Sequence, residues 1–181
     1  MILGLDISTS CTGWCLLSHS GELVDLGFVK LKNSQNIFEK ATSLESVFFD
    51  LKEKYNIDKI FVEENLQAFR PGFSSAKTIV TLARFNGIVS YVASKSFGMS
   101  PQYVNVNVAR KSVNLKIISK KKGGKPTKEQ VFDWVNSRIE YDWPSKCLKS
   151  GPRRGMTVLD DSRFDMSDAY VIALAGHNLN I

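Results

Sequence analysis

The sequence predicts an α/β protein: one five-stranded mixed sheet flanked by helices. Three observations carry this. The first third holds short apolar runs with polar turns between them. A long stretch at helical spacing follows, and the rest alternates compact apolar runs with helical ones. Ile2–Ile7, Gly13–Ser18 and Leu23–Leu31 are three strands joined by Ser8-Thr9-Ser10-Cys11-Thr12 and His19-Ser20-Gly21-Glu22, which makes an antiparallel meander. Asn36–Tyr55 reads as a helix, with Ile37, Ala41, Leu44, Val47, Phe48 and Leu51 on one stripe. Lys59–Glu64 is a fourth strand that ends on two carboxylates. Ser74–Ser96 is a long helix, entered through Arg70-Pro71-Gly72 and left through Phe97-Gly98. Gln102–Val106 is the fifth strand, and Thr127–Ile139 a helix capped at Pro126-Thr127. Asp142–Phe164, with Pro144, Gly151-Pro152 and Gly155, reads as a long loop before a closing apolar helix, Met166–Gly176.

The composition narrows the function classes. At 181 residues the chain suits one domain with a real core, and no internal repeat or low-complexity block divides it. Hydrophobic residues at 43% and charged residues at 23% exclude a disordered or collagen-like chain. The best apolar run, Ala169 to Ala175, falls far short of the roughly 18 residues that span a bilayer, so no membrane role is expected. The chain opens into Ile2-Leu3-Gly4-Leu5 with no basic leader, so no secretory signal is expected. Three cysteines and two widely separated histidines argue against a disulfide framework or a zinc site and favour the cytoplasm. A net charge of +6 points mildly to a polyanionic partner.

The anomalies are acids in or beside apolar segments. Asp6 closes Leu3-Gly4-Leu5-Asp6-Ile7, where a lone buried carboxylate is costly unless paired or metal-bound. Glu63 and Glu64 face opposite sides of the fourth strand, so only one can share a face with Asp6. Asp165 and Asp168 project from one side of the last helix. Taken singly, each has a plain structural use: Asp6 in a turn, Asp165 as a helix cap with Asp168 three residues on. Taken together, they converge on one sheet edge. Several carboxylates in reach of each other require cations, and hard divalent ions take oxygen ligands. A pair of Mg²⁺ ions there suits phosphodiester hydrolysis.

Leu3-Gly4-Leu5-Asp6-Ile7-Ser8-Thr9-Ser10-Cys11-Thr12-Gly13-Trp14 resembles the opening of the RuvC-type Holliday junction resolvases, members of the RNase H-like nuclease superfamily. Phe61-Val62-Glu63-Glu64 is similar to their second acidic motif, and Asp165-Met166-Ser167-Asp168-Ala169 to their closing Asp-x-x-Asp-Ala. Lys128-Glu129-Gln130-Val131 resembles the stretch before their third helix. The motifs keep the family's order across nearly the whole chain. The resemblance implies one RNase H-like nuclease domain over 1–181, with Asp6, Glu63, Asp165 and Asp168 as catalytic metal ligands; Glu64 is the alternative if the strand face is reversed. It further implies two Mg²⁺ per site, with Mn²⁺ as a substitute, a homodimer, and paired nicking of four-way junctions in a bacterial cytoplasm, with the gene bacterial or phage-borne. The chain departs from the family in a longer segment from Glu140 to Phe164. At the DNA-wedging aromatic it has Leu66, with Phe69 or Phe73 as possible substitutes.

From Arg110 to Lys128 the chain has eight basic residues and no acid. Lys111, Lys116, Lys120, Lys121, Lys122, Lys125 and Lys128 are the candidate DNA-backbone contacts, on a loop that Gly123-Gly124 makes mobile. Lys146, Lys149, Arg153 and Arg154 form a looser cluster that is as well read as a solvated loop. The opening motif also resembles the phosphate loop of sugar and acetate kinases, but those need two lobes and glycines that this loop lacks. A branch-binding protein without cleavage, and an RNase H-like nuclease for flaps or RNA-containing substrates, remain as alternatives.

Overall fold

The computed structural model describes residues 1–64 and 76–179. Its main sheet has five strands: β1 (Ile2–Asp6), β2 (Cys11–Leu17), β3 (Leu23–Lys30), β4 (Lys59–Glu63) and β5 (Gln102–Val104). The order is β3-β2-β1-β4-β5, with β1, β2 and β3 antiparallel and β4 and β5 parallel to β1. The parallel pairs need long crossovers, and helices supply them: α1 (Ile37–Lys54) between β3 and β4, and α2 (Ala76–Phe97) between β4 and β5. The remaining helices are α3 (Val106–Ser112), α4 (Thr127–Asn136) and α5 (Ser162–Leu179), and a two-stranded hairpin, β6 (Ser145–Cys147) with β7 (Thr157–Leu159), precedes α5.

The sheet is apolar on both faces, and strand periodicity sorts the side chains. Leu3, Leu5, Leu16, Ile60 and Val62 pack with Leu44 and Phe48 of α1 and Phe85 and Val89 of α2. Ile2, Cys15, Leu17 and Phe61 face the other way, against α3, α4 and the buried stripe of α5. Two of the helices carry defined N-terminal stops. Asn36 and Glu39 form a reciprocal capping box on α1, and the Asn105 side chain accepts the Asn107 N–H at 3.0 Å to start α3.

The elements differ from the sequence expectation in five places. The strand expected over Gln102–Val106 stops at Val104, because Asn105 caps a helix that the Val104-x-Val106-x-Val108 alternation conceals. The fourth helix ends at Asn136, where Ser137 and Ile139 close a final turn on Asp133 and Val135 carbonyls, and Thr127 is its first helical residue with Pro126 in the cap position. The last helix begins at Ser162, because Asp160 Oδ1 accepts the Ser162 N–H at 2.9 Å; Asp165 lies inside the first turn and is not the cap. The 142–164 segment is a hairpin, not an irregular loop. The lysine-rich turn is also tied down: Gln130 accepts the Ile118 N–H and donates to the Ile118 and Lys125 carbonyls, and Lys120–Lys122 form one 3₁₀ turn.

α5 lies directly on β1 and β2. A Cβ on Gly4 would stand 2.5 Å from the Ala169 carbonyl oxygen and 2.6 Å from the Ala173 nitrogen, and one on Gly13 would strike the Asp165 carbonyl group. Backbone atoms cannot swing aside as a side-chain tip can. Gly4→Ala and Gly13→Ala are each expected to destabilise the fold by about 1–3 kcal/mol, read by urea unfolding. A neutral result at either position would contradict this close contact.

Candidate metal centre

The parity of β1 and β4 decides which carboxylates meet. Leu3 and Leu5 enter the α1/α2 core, so Ile2, Gly4 and Asp6 face α5. Ile60 and Val62 do the same on β4, which leaves Phe61 and Glu63 on the α5 side. Leu5 pairs with Val62, and Asp6 pairs with Gly13 on the strand's other side. The Asp165 carbonyl sits on Gly13, and Asp168 is one turn further along the same helix face. Glu64 takes a different route, with its backbone N–H bonded to Val104 and its carboxylate to Asn105 Nδ2 at 3.4 Å.

Three of the four acids are perturbed by others of the group. Burial raises the Asp6 carboxyl well above its usual range, and the charges of Glu63, Asp168 and Asp165 raise it further. Burial and then Asp168 lift Glu63 to about 7, with Arg110 opposing. Asp168 rises to about 6 through burial and the Asp165 charge, again against Arg110. Asp165 is also raised by burial; hydrogen bonds from the Cys11 thiol and from its own backbone N–H, with the Lys128 charge, hold the rise back.

The neighbouring residues include three that the sequence did not single out for the site. Arg110, from α3, brings Nη2 to 3.8 Å from Asp168 Oδ1, and its buried Nε has no acceptor among the described residues. It stood in the basic run, but its inward position depends on the unexpected α3. Buried Asn86 donates to the Glu63 carbonyl at 3.2 Å and accepts from Ser90, so α2 holds the end of β4. Two polar residues four apart on the buried stripe Phe85-Asn86-Val89-Ser90 were the available signal. Buried Lys40 donates to the Thr9 carbonyl at 2.7 Å and fixes the loop between Asp6 and Cys11.

The basic candidates separate. Lys128 stands 4.6 Å over the Phe164 ring, and its charge lowers Asp165, so it borders the acids. Lys111 and Lys116 line a cleft of about 420 Å³ that reaches Arg110. Lys120, Lys121 and Lys122 are exposed on the 3₁₀ turn. Lys125 is bound to Asp133 at 2.8 Å, which leaves less of its charge for an external phosphate. Leu66, Phe69 and Phe73 lie outside the described residues.

A metal fits this donor set chemically. Four carboxylates supply hard oxygen ligands, and one guanidinium at 3.8 Å leaves their repulsion largely uncompensated. As they stand, no three such side chains among the described residues are close enough to grip one ion. Ligation therefore requires carboxyl rotamers to turn toward one another.

No family model matches the chain. It is 29% identical over 179 residues to the crossover junction endodeoxyribonuclease RuvC of Aliarcobacter butzleri, covering 96% of this chain and 95% of that one. The Campylobacter lari RuvC is 26% identical over 186 residues, covering 99% and 96%. Thermus thermophilus RuvC in complex with a Holliday junction substrate superimposes with a TM-score of 0.62 at 15% identity, over 99% of this chain and 93% of that one. The chain is thus similar to RuvC proteins along nearly its whole length. The yeast mitochondrial resolvase Ydc2 shares the fold at a TM-score of 0.54 and 14% identity, over 98% of this chain and 77% of its own. The five-stranded mixed sheet with its flanking helices is thus the fold of the RuvC structures. No helix among the described residues is long and apolar enough to cross a membrane.

The raised carboxyls set a pH dependence. Unfolded Asp and Glu titrate near pH 4, whereas Glu63 and Asp168 titrate at about 7 and about 6 in the fold. Between about pH 4 and 7 the native state therefore holds protons that the unfolded chain has lost, and stability falls as pH rises. In EDTA, the melting temperature is expected to drop by on the order of 5 °C from pH 5 to pH 8. Asp6→Asn should flatten that profile, and a flat wild-type profile would refute the clustering of charge.

Proposed function

We propose that the chain is a metal-dependent endodeoxyribonuclease that resolves four-way DNA junctions by paired, symmetric nicks. The observation that carries this is the charge coupling of Asp6 with Glu63, Asp168 and Asp165 where β1 and β4 meet α5, in a chain similar to RuvC over 96% of its length. The curated relatives are named as crossover junction endodeoxyribonucleases, and one structural neighbour holds a Holliday junction.

In this reading, the whole chain, 1–181, works as one nuclease domain in a bacterial cytoplasm. Asp6, Glu63, Asp165 and Asp168 would hold two Mg²⁺, or Mn²⁺; such ions would supply charge stabilisation at a scissile phosphate and would lower the pKa of water so that hydroxide forms near neutral pH. Arg110 lies beside Asp168 and limits repulsion among the acids. Asn86 fixes the strand end that carries Glu63, and Lys40 the loop that follows Asp6. Lys128, together with Lys111, Lys116 and Lys120 to Lys122, binds the phosphate backbone as point charges with no sequence code. Leu66 and Phe69 remain the wedge candidates.

Matched nicks on a two-fold junction need two equivalent sites, which a homodimer provides. The outer face of α1 and α2 suits that interface. Phe38 is 67% and Tyr91 68% exposed there, beside a groove of about 550 Å³ lined by Ala41, Thr42, Ile88 and Val92. Tyr91→Glu is expected to give monomers in sedimentation and to uncouple the two nicks.

The deciding experiment compares a labelled four-way junction with duplex, flap and RNA–DNA hybrid, with and without Mg²⁺. The expected result is paired symmetric nicks on the junction, lost in EDTA and reduced at least about 100-fold by Asp6→Asn or Glu63→Gln. Preference for the flap or hybrid would move the same site to another nuclease class. Junction binding without cleavage in either metal would make the chain an architectural binder.

A further inference from the structure

The hairpin between α4 and α5 has no part in the site described above. Its span Ser145–Met156 carries Lys146, Lys149, Arg153 and Arg154 and no acid. The tip is built rather than loose. The Leu148 N–H donates to the Met156 carbonyl at 3.0 Å and the Gly155 N–H to Leu148 at 2.8 Å, while Gly151 and Gly155 adopt left-handed φ values of 79° and 86°. Its base is fastened to the first turn of α5. The Asp160 N–H donates to Pro144 at 2.7 Å, and Lys146 Nζ reaches Asp161 at 2.6 Å. Lys30 holds buried Asp160 at 2.6 Å, five residues before Asp165.

Lys149, Arg153 and Arg154 are exposed, and among the described residues none has an acidic partner. Three like charges on one seven-residue tip repel, and a phosphate backbone is the partner that turns this repulsion into binding. The tip residues 149–155 contain no aromatic side chain, so they provide no platform for stacking an unpaired base. β7 is Thr157–Leu159, and four extended steps from Asp160 to Met156 reach at most ~13 Å from the hairpin base, which the tip lengthens to at most ~20 Å, so the tip reaches past several base pairs of rise.

We propose that this hairpin is a second DNA-contacting element: Lys149, Arg153 and Arg154 grip the phosphate backbone of a duplex arm beside the cleavage site. The inference rests on the nuclease reading above and deepens it by assigning an arm contact to a segment that the acidic site does not use.

Cys147, exposed beside the tip while Cys11 and Cys15 are buried, is a native attachment point for a photo-cross-linker. With a four-way junction bound in Ca²⁺, the labelled protein is expected to cross-link arm nucleotides beside the nick position. Replacing Lys149, Arg153 and Arg154 together with Ala leaves the Lys146–Asp161 anchor in place; its fold is checked by melting. That variant should lower the slope of log K against log salt by about 2 to 3 in magnitude, at roughly 0.9 for each lost phosphate contact. If the junction binds but the slope is unchanged and Cys147 labels no arm nucleotide, the hairpin proposal fails and the nuclease reading stands. If the wild type binds no junction at all, both fall.

Discussion

Where α5 crosses β1 and β2, helix backbone meets strand backbone at two glycines, and little else in the site could exist without that approach. Gly4 admits the Ala169 and Ala173 turns, and Gly13 admits the Asp165 carbonyl. A side chain at either point would lift the helix by the width of a methyl group and carry Asp165 and Asp168 away from Asp6. Further along, Gly176 rests on the Phe61 ring, which extends the close contact to β4, the strand that delivers Glu63. The small residues of β1, β2 and α5 therefore set the distance between carboxylates that come from three separate elements.

That proximity has an electrostatic cost. Each acid is desolvated beside others of the same sign, and Arg110 compensates only part of the field. The fold meets this with constraints that act on backbone: Asn86 on the Glu63 carbonyl, Lys40 on the Thr9 carbonyl, and the first turn of α5 under Asp165. Asn86 and Lys40 keep the chain in place through backbone carbonyls and not through the carboxylates. The same economy appears at Asp160, which accepts from Ser162 and Lys30 and so secures α5 without using either acid of the cluster.

Much of this was legible in the residues themselves. The five strands, the two long helices and the convergence of Asp6, Glu63, Asp165 and Asp168 follow from period-two and helical patterns plus the resemblance carried by the motifs. Which of Glu63 and Glu64 shares a face with Asp6 was open in the sequence, and the burial of Phe61 on the α5 side puts Glu63 on that face. Other features depend on competition that a local pattern cannot rank. Val104-Asn105-Val106-Asn107-Val108 alternates like a strand, yet the Asn105 cap turns it into α3 and swings Arg110 inward. The glycines and proline of the 142–164 segment suggest a loop, but they shape one hairpin whose pairing needs residues a dozen apart. Asp165 looked equally like a cap, and only the Asp160 contact shows that the helix already began at Ser162.

The sheet topology also has a consequence for synthesis. β1 is central in the sheet and first in the chain, and the helix that covers it is the last element to emerge. Asp6 therefore lacks its acidic neighbours from α5 until residues 162 to 168 dock on the two glycines. A nascent chain holds at most two of the four acids in place and cannot yet form the cluster. The acidic site is thus completed by a contact between the first strand and the last described helix, and it cannot form before that long-range docking takes place.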